Sequence, residues 1–142
     1  MARGRVDYRQ LQRIQKNMQK LADTDFDKFC RDMAKELAAR MLSRVVRRTP
    51  VGQYTDGTVG GTLRRGWTVG EIKKVGSTYE IEVINPTEYA VYVEFGHRTI
   101  NHRGWVPGRF MMTISAQEVE ELAPNLIERK LYNLLKGAFE ND

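Results

Sequence analysis

The stretch NPTEYAVYVEFGHRTINHRGWVPGRF, residues 85–110, decides how the rest of the chain is read. It opens with a helix start. Asn85 is a favourable N-cap, Pro86 suits the first helical position, where its missing N–H costs nothing, and Glu88 falls in the first turn, near the positive end of the dipole. It stops at Gly96, the residue most at ease in the left-handed conformation that ends helices. Between them lie Tyr89, Ala90, Val91, Tyr92, Val93 and Phe95, with Glu94 set among them. Tyr89, Ala90 and Val93 share one helical face. Strand alternation through Tyr89, Val91, Val93 and Phe95 fits nearly as well, and the caps favour helix. After Gly96 the aliphatic side chains almost vanish, and the run to Gly104 carries His97, Arg98, His102 and Arg103. Trp105, Val106 and Pro107 lead back to an apolar segment. An extended hairpin suits this arm, residues 97–106. A rigid block followed by a basic arm is a scaffold presenting something to a partner.

On the N-terminal side, Tyr79, Ile81 and Val83 alternate with Glu80 and Glu82, the pattern of a half-buried strand. Residues 67–75 and 78–84 are predicted to form an antiparallel hairpin turning at Gly76-Ser77. Its carboxylates Glu80 and Glu82 share a solvated face with no third ligand or base nearby. Residues 51–61, VGQYTDGTVGG, hold four glycines and form a flexible loop. They are no phosphate loop, because no Gly-Lys-Ser/Thr ends them and a helix, where that motif requires a strand, precedes them.

Phe26, Phe29, Cys30, Met33, Leu37, Met41, Leu42 and Val45 recur at three/four spacing, so a central core helix is predicted from about Asp25 to Arg48. Thr24 and Asp27 form a capping box before it, Arg44, Arg47 and Arg48 suit its negative end, and Thr49-Pro50 stops it. A thinner stripe, Leu11, Ile14, Met18 and Leu21, predicts a helix over 7–21 capped by Asp7 and Gln10, with the first six residues mobile. From Arg109 onward the chain reads as helix, kinked or restarted at Pro124. The fold class is therefore α+β: a small antiparallel β-sheet packed against a long N-terminal core helix and a kinked C-terminal helix. Residues 1–24 form a helical extension, and 25–142 form a single domain with a flexible loop at 52–61 and the arm at 97–106.

At 142 residues the chain can bury roughly two-thirds of its unfolded surface without metal or disulfide. No apolar run approaches a membrane span, and MARGRVDYRQ lacks a signal core. The single cysteine, Cys30, excludes an internal disulfide and reads as a small core side chain of a cytoplasmic product. The net charge of +5 divides into +7 over residues 1–50 and −2 over 51–142. Such a dipolar layout suits head-to-tail packing of identical subunits, and a basic half also suits nucleic acid. No nucleophile–base pair or metal triad is present, and His97 and His102 fit no ligand spacing, so no catalytic, cofactor or metal residue is assigned.

Four motifs occur in order: Thr49-Pro50-Val51, Gly61-Thr62-Leu63-Arg64-Arg65-Gly66-Trp67, Tyr89-Ala90-Val91-Tyr92-Val93-Glu94-Phe95-Gly96, and Pro107-Gly108-Arg109-Phe110-Met111. Together they resemble the tail-completion (neck, head–tail joining) family of tailed bacteriophages and related prophage particles. The chain departs from that pattern in the Gly52–Gly60 insertion and in Gly66 and His97, which stand where Ser and Thr are usual. The resemblance implies a non-enzymatic virion protein that forms a ring in the neck, between the head connector and the tail-terminator or tail-tube proteins, after assembly in the host cytoplasm. DNA would pass through the lumen without sequence-specific contact. On that reading Glu94 is a candidate for an inter-subunit ion pair, and Arg64 and Arg65 face acidic neighbours or the channel. His97, Arg98, His102, Arg103 and Trp105 then reach adjacent rings. The competing expectation is a small basic nucleic-acid-binding protein, which a basic–aromatic strand face would favour and this pattern lacks.

Overall fold

The apolar stripe of the long N-terminal helix finds its partner in the C-terminal helix. A computed structural model describes residues 9–20, 26–52 and 55–140. Its helices are α1 (Arg9–Lys20), α2 (Phe26–Arg48), α3 (Thr62–Arg65), α4 (Ala90–Phe95) and α5 (Met111–Glu140). Its strands are β1 (Thr68–Val69), β2 (Lys73–Val75), β3 (Thr78–Glu80), β4 (Val83–Ile84), β5 (Gly96–Arg98) and β6 (Trp105–Pro107). Helices α2 and α5 lie along one another, β1, β3 and β4 rest on α2, and α4 joins α5 near its start. The α+β class is as expected. The core is Val45, Leu63, Trp67 and Met111, with Met41, Leu42, Val83, Ala90 and Val93 among the half-buried side chains packed on it. Phe26, first of the predicted stripe, stays half exposed and stacks on Phe29.

Polar groups tie the two long helices as well. Glu118 of α5 accepts from Arg44 at 2.9 Å and from Arg48, and Arg48 also donates to Ser115 Oγ at 3.1 Å. Two of the arginines that suit the end of α2, Arg44 and Arg48, thus also bridge to α5. Helix α5 runs through Pro124 without restarting. Helix α1 lies against α5. The capping groups Asp7 and Thr24 and the first six residues lie outside the described residues.

The predicted 67–84 hairpin is present in two pieces. Thr68 pairs with Ile84 and Val69 with Val83, while Lys73 pairs with Glu80 and Val75 with Thr78, all antiparallel. Residues 70–72 therefore face only 81–82, so one extra residue bulges from the first strand. The single sheet expected becomes three two-stranded ladders, β1–β4, β2–β3 and β5–β6. Tyr79, Ile81 and Val83 are half-buried and Glu80 and Glu82 exposed, as the alternation requires.

Asp27 holds this hairpin to α2. Its carboxylate accepts from the Tyr79 hydroxyl at 2.5 Å and from Arg31 Nε at 2.9 Å, with Lys74 Nζ at 3.7 Å. The Tyr79 and Arg31 hydrogen bonds hold the Asp27 carboxyl below its ordinary value of 3.8, and the same Asp27 bond pushes the Tyr79 phenol up. A depressed carboxyl stabilises the fold above its unfolded value, and the contribution fades as pH falls through the lower folded value. In Tyr79→Phe the Asp27 midpoint is expected to move up toward 3.8, read by carboxyl chemical-shift titration. An unmoved midpoint refutes the coupling.

The 85–96 stretch departs from expectation at its start. Helix α4 begins at Ala90, not at Pro86. Asn85 forms an Asx turn instead: its Oδ1 accepts from Thr87 N at 3.1 Å while its Nδ2 donates to Leu63 O at 2.7 Å. The absent Cβ of Gly66 makes room for this reach, since a Cβ there would lie 2.5 Å from Asn85 Oδ1. Both ends of the Asn85 amide are thus used in this turn, and the helix starts five residues later, at Ala90.

Candidate functional site

The candidate site grows from a reciprocal exchange of helix ends. The last turn of α4 leaves carbonyls unpaired, and the first turn of α5 leaves N–H groups unpaired. Arg109 N donates to Val93 O at 2.8 Å and Phe110 N to Glu94 O at 3.1 Å. In return the Glu94 carboxylate accepts from Met112 N at 2.9 Å and from Thr113 N at 2.8 Å and Oγ1 at 2.7 Å. A carboxylate at a helix N-terminus also complements the dipole. Glu94 is only 6% exposed. The inter-subunit ion pair expected of it gives way to a role inside the chain, because its oxygens are committed to α5. The exchange holds Phe110 at φ 49, a left-handed value unusual for a side chain of that size.

Gly96 makes the next turn possible. It sits at φ 89, and a Cβ there would lie 2.5 Å from Val106 O. The chain leaves α4 directly into the arm, which is a hairpin: Gly96 pairs with Pro107, His97 with Val106 and Arg98 with Trp105. Its tip is closed by its own hydrogen bonds. Thr99 N donates to Gly104 O, His102 N to Thr99 O, Gly104 N to Thr99 Oγ1 and Arg103 N to Asn101 Oδ1. His102 takes φ 56 at this tip.

This framework turns the aromatic block outward. Of its apolar and aromatic side chains only Ala90 and Val93 pack on the core, while Tyr89, which shares their predicted helical face, is exposed with Val91, Tyr92 and Phe95. Val91 and Phe95 lie one turn apart, Phe95 meets Phe110 edge-on at 6.4 Å, and Ile114 is exposed one turn beyond Phe110. By this spacing the four line up as an apolar stripe running from α4 to the start of α5. The arm adds Trp105, Val106 and a fully exposed Ile100. Isolated monomers seldom leave such a patch in water, and it marks an interaction face.

The basic residues divide. Arg98, His102 and Arg103 are exposed on the arm, with Trp105 exposed among them. His97 is half-buried against Tyr92, with Nδ1 lacking a hydrogen-bond partner among the described residues. Arg64 points elsewhere. Its Nε and Nη2 both donate to Thr49 O, at 3.1 and 2.7 Å, closing the end of α2. The Trp67 indole N–H donates to Thr49 Oγ1 at 2.7 Å, and that hydroxyl donates to Val45 O at 2.5 Å. Arg65 is exposed and donates to Gly60 O at 3.0 Å. The expected surface role of Arg64 is thus replaced by a latch, and Thr49, Arg64 and Trp67 hold one another. A threonine before a proline, with Arg and Trp three apart downstream, was the available signal. Cys30 lines an apolar groove and burial pushes its thiol up, away from the reactive range. Among the described residues no three His, Cys, Asp or Glu side chains gather, and no helix is long and apolar enough to cross a membrane.

A fold whose buried carboxylate caps a neighbouring helix of the same chain, and whose open face is apolar and basic, defines a structural subunit built for contact. The family model described as "Bacteriophage HK97-gp10, putative tail-component" matches residues 12–96, more than half of the chain. The chain belongs to this family, and it is a structural component of phage tails, consistent with the tail-completion resemblance and with a place in the virion. Neither a curated protein nor a solved structure matches it. The family match ends at Gly96, where the arm begins.

Proposed function

We propose that the chain forms a homo-oligomeric ring in the neck, completing the tail and joining it to the head connector. The observation that carries this reading is the apolar stripe of Val91, Phe95, Phe110 and Ile114 with the basic arm beside it. A stripe on α4 and α5 supplies the hydrophobic core of a subunit contact, and Arg98 and Arg103 supply the polar rim. Beyond His97, which packs on Tyr92 of α4, the arm is largely exposed and is suited to meet connector or tail-tube neighbours. DNA passes through the lumen without sequence readout. The basic sequence of α1, which holds four cations and no acid, is suited to face it.

Replacing residues 99–104 by Asn-Gly tests this reading. The substitution keeps the Arg98–Trp105 pair and closes the hairpin with a two-residue turn. The shortened subunit is expected to melt within a few degrees of the parent and to leave heads and tails unjoined, seen by electron microscopy of the particles. Normal joining overturns the role of the arm.

A further inference from the structure

The cations of α1 stand in one row, and no carboxylate of their own helix interrupts it. We infer that this row binds the phosphate backbone of duplex DNA, lying along one strand without reading its sequence. The inference deepens the ring reading, which brings DNA past the subunit, and rests on it. Arg9, Arg13, Lys16 and Lys20 follow one another by four, three and four residues. At 3.6 residues per turn these positions fall within about 60° of arc, and from first to last they cover roughly 16 Å. One strand of DNA carries about five phosphates over that length. Arg9, Arg13 and Lys16 are exposed, and so are the flanking Gln10, Gln12 and Gln19, whose amides can donate to phosphate oxygens. Helix α1 lies against α5, so the row is carried on the body of the subunit.

The other long helices treat their cations differently. Arg31 has Asp27, Arg40 has Glu36 and Lys136 has Glu140, each four residues away, and Arg44 and Arg48 share Glu118. In α1 the same spacings bring like charges together: Arg9 with Arg13, Arg13 with Lys16, and Lys16 with Lys20. Like charges three or four residues apart weaken a helix. A helix face that serves solubility mixes the two signs, whereas α1 holds no acid in its 12 residues. No ion pair joins Arg13 or Lys16 to another described residue. A polyanion lying along the row offsets this repulsion and releases its own counterions, which is the driving force of sequence-independent DNA binding. Arg98 and Arg103 of the arm, one on a strand and one at the tip, make no comparable row.

Fluorescence anisotropy of the intact subunit with a duplex of arbitrary sequence tests the row. A fourfold rise in salt is expected to weaken binding roughly 100-fold in the parent and roughly tenfold in the double variant Arg13→Gln/Lys16→Gln. Gln12→Glu sets an acid four residues before Lys16, so it should raise helix content while lowering DNA affinity; a merely solvated helix would gain the first and keep the second. Equal affinity and salt dependence in the parent and the double variant overturn the inference. Loss of binding only in Arg98→Gln/Arg103→Gln overturns it also, by moving the contact to the arm. Tighter binding to phosphatidylserine vesicles than to the duplex overturns it in favour of a membrane surface. Ring formation is read separately, by microscopy of the particles. A subunit that binds duplex through α1 yet is absent from the neck supports this inference and sinks the ring reading.

Discussion

Glu94→Ala is expected to lower the unfolding free energy by about 2–3 kcal/mol, because hydrogen bonds to a charged acceptor are lost and the donors left behind are partly buried. The side chain is 6% exposed and serves Met112 N, Thr113 N and Thr113 Oγ1. For a domain of this length the melting temperature should fall by roughly 5–10 °C. Glu94→Gln keeps one acceptor oxygen but turns an amide NH2 toward one of the α5 N–H donors, so it should recover only part of the loss. Circular dichroism melts give the size of the effect, and amide exchange at Met112 and Thr113 gives its place. Unchanged protection at both amides with a normal melt would refute the cap. The functional consequence follows from the geometry. The same α4–α5 junction sets Phe95 against Phe110 and aims the arm, so loosening it should disturb assembly without removing any exposed side chain.

Trp67→Ala should cost more, about 3–5 kcal/mol, as large aromatic truncations in a core do. The ring is buried in the cluster with Val45, Leu63 and Met111, and its indole N–H ends on Thr49 Oγ1. Trp67→Phe keeps most of the apolar area and loses the donor, so it should cost about 1–2 kcal/mol. Thr49→Val tests the other end. It retains the volume but leaves the indole N–H unpaired, and it should resemble Trp67→Phe in denaturant midpoint. Combining the two should cost less than their sum, since both remove one hydrogen bond. Strict additivity in that cycle would show that the latch is not a unit.

The latch also joins two of the four sequence motifs of this chain. Thr49, Arg64 and Trp67 fall in two separate motifs, and each satisfies the other across the end of α2. Much of the recognisable sequence is therefore commitment to a fold. The parts free to contact others, Val91, Phe95 and the arm, are distinguished by exposure.

By itself the sequence determined the long core helix, the C-terminal helix, the wet and dry faces of the 67–84 hairpin, the break at Gly96 and the hairpin form of the arm. Those features follow from spacing and caps within a few residues, where the period of the backbone dictates which side chains align. The tertiary structure alone decided the rest. Glu94 caps a helix 18 residues away, Arg64 closes one 15 residues back, and Asn85 reaches 22 residues to Leu63. A polar side chain in an apolar or aromatic run must find partners, but its own neighbourhood does not say where they lie. The outward turn of the Tyr89–Phe95 block has the same origin. Six helical residues can bury one face only, and the packing of α4 on Met111 and Val45 chose Ala90 and Val93, leaving the larger side chains in water.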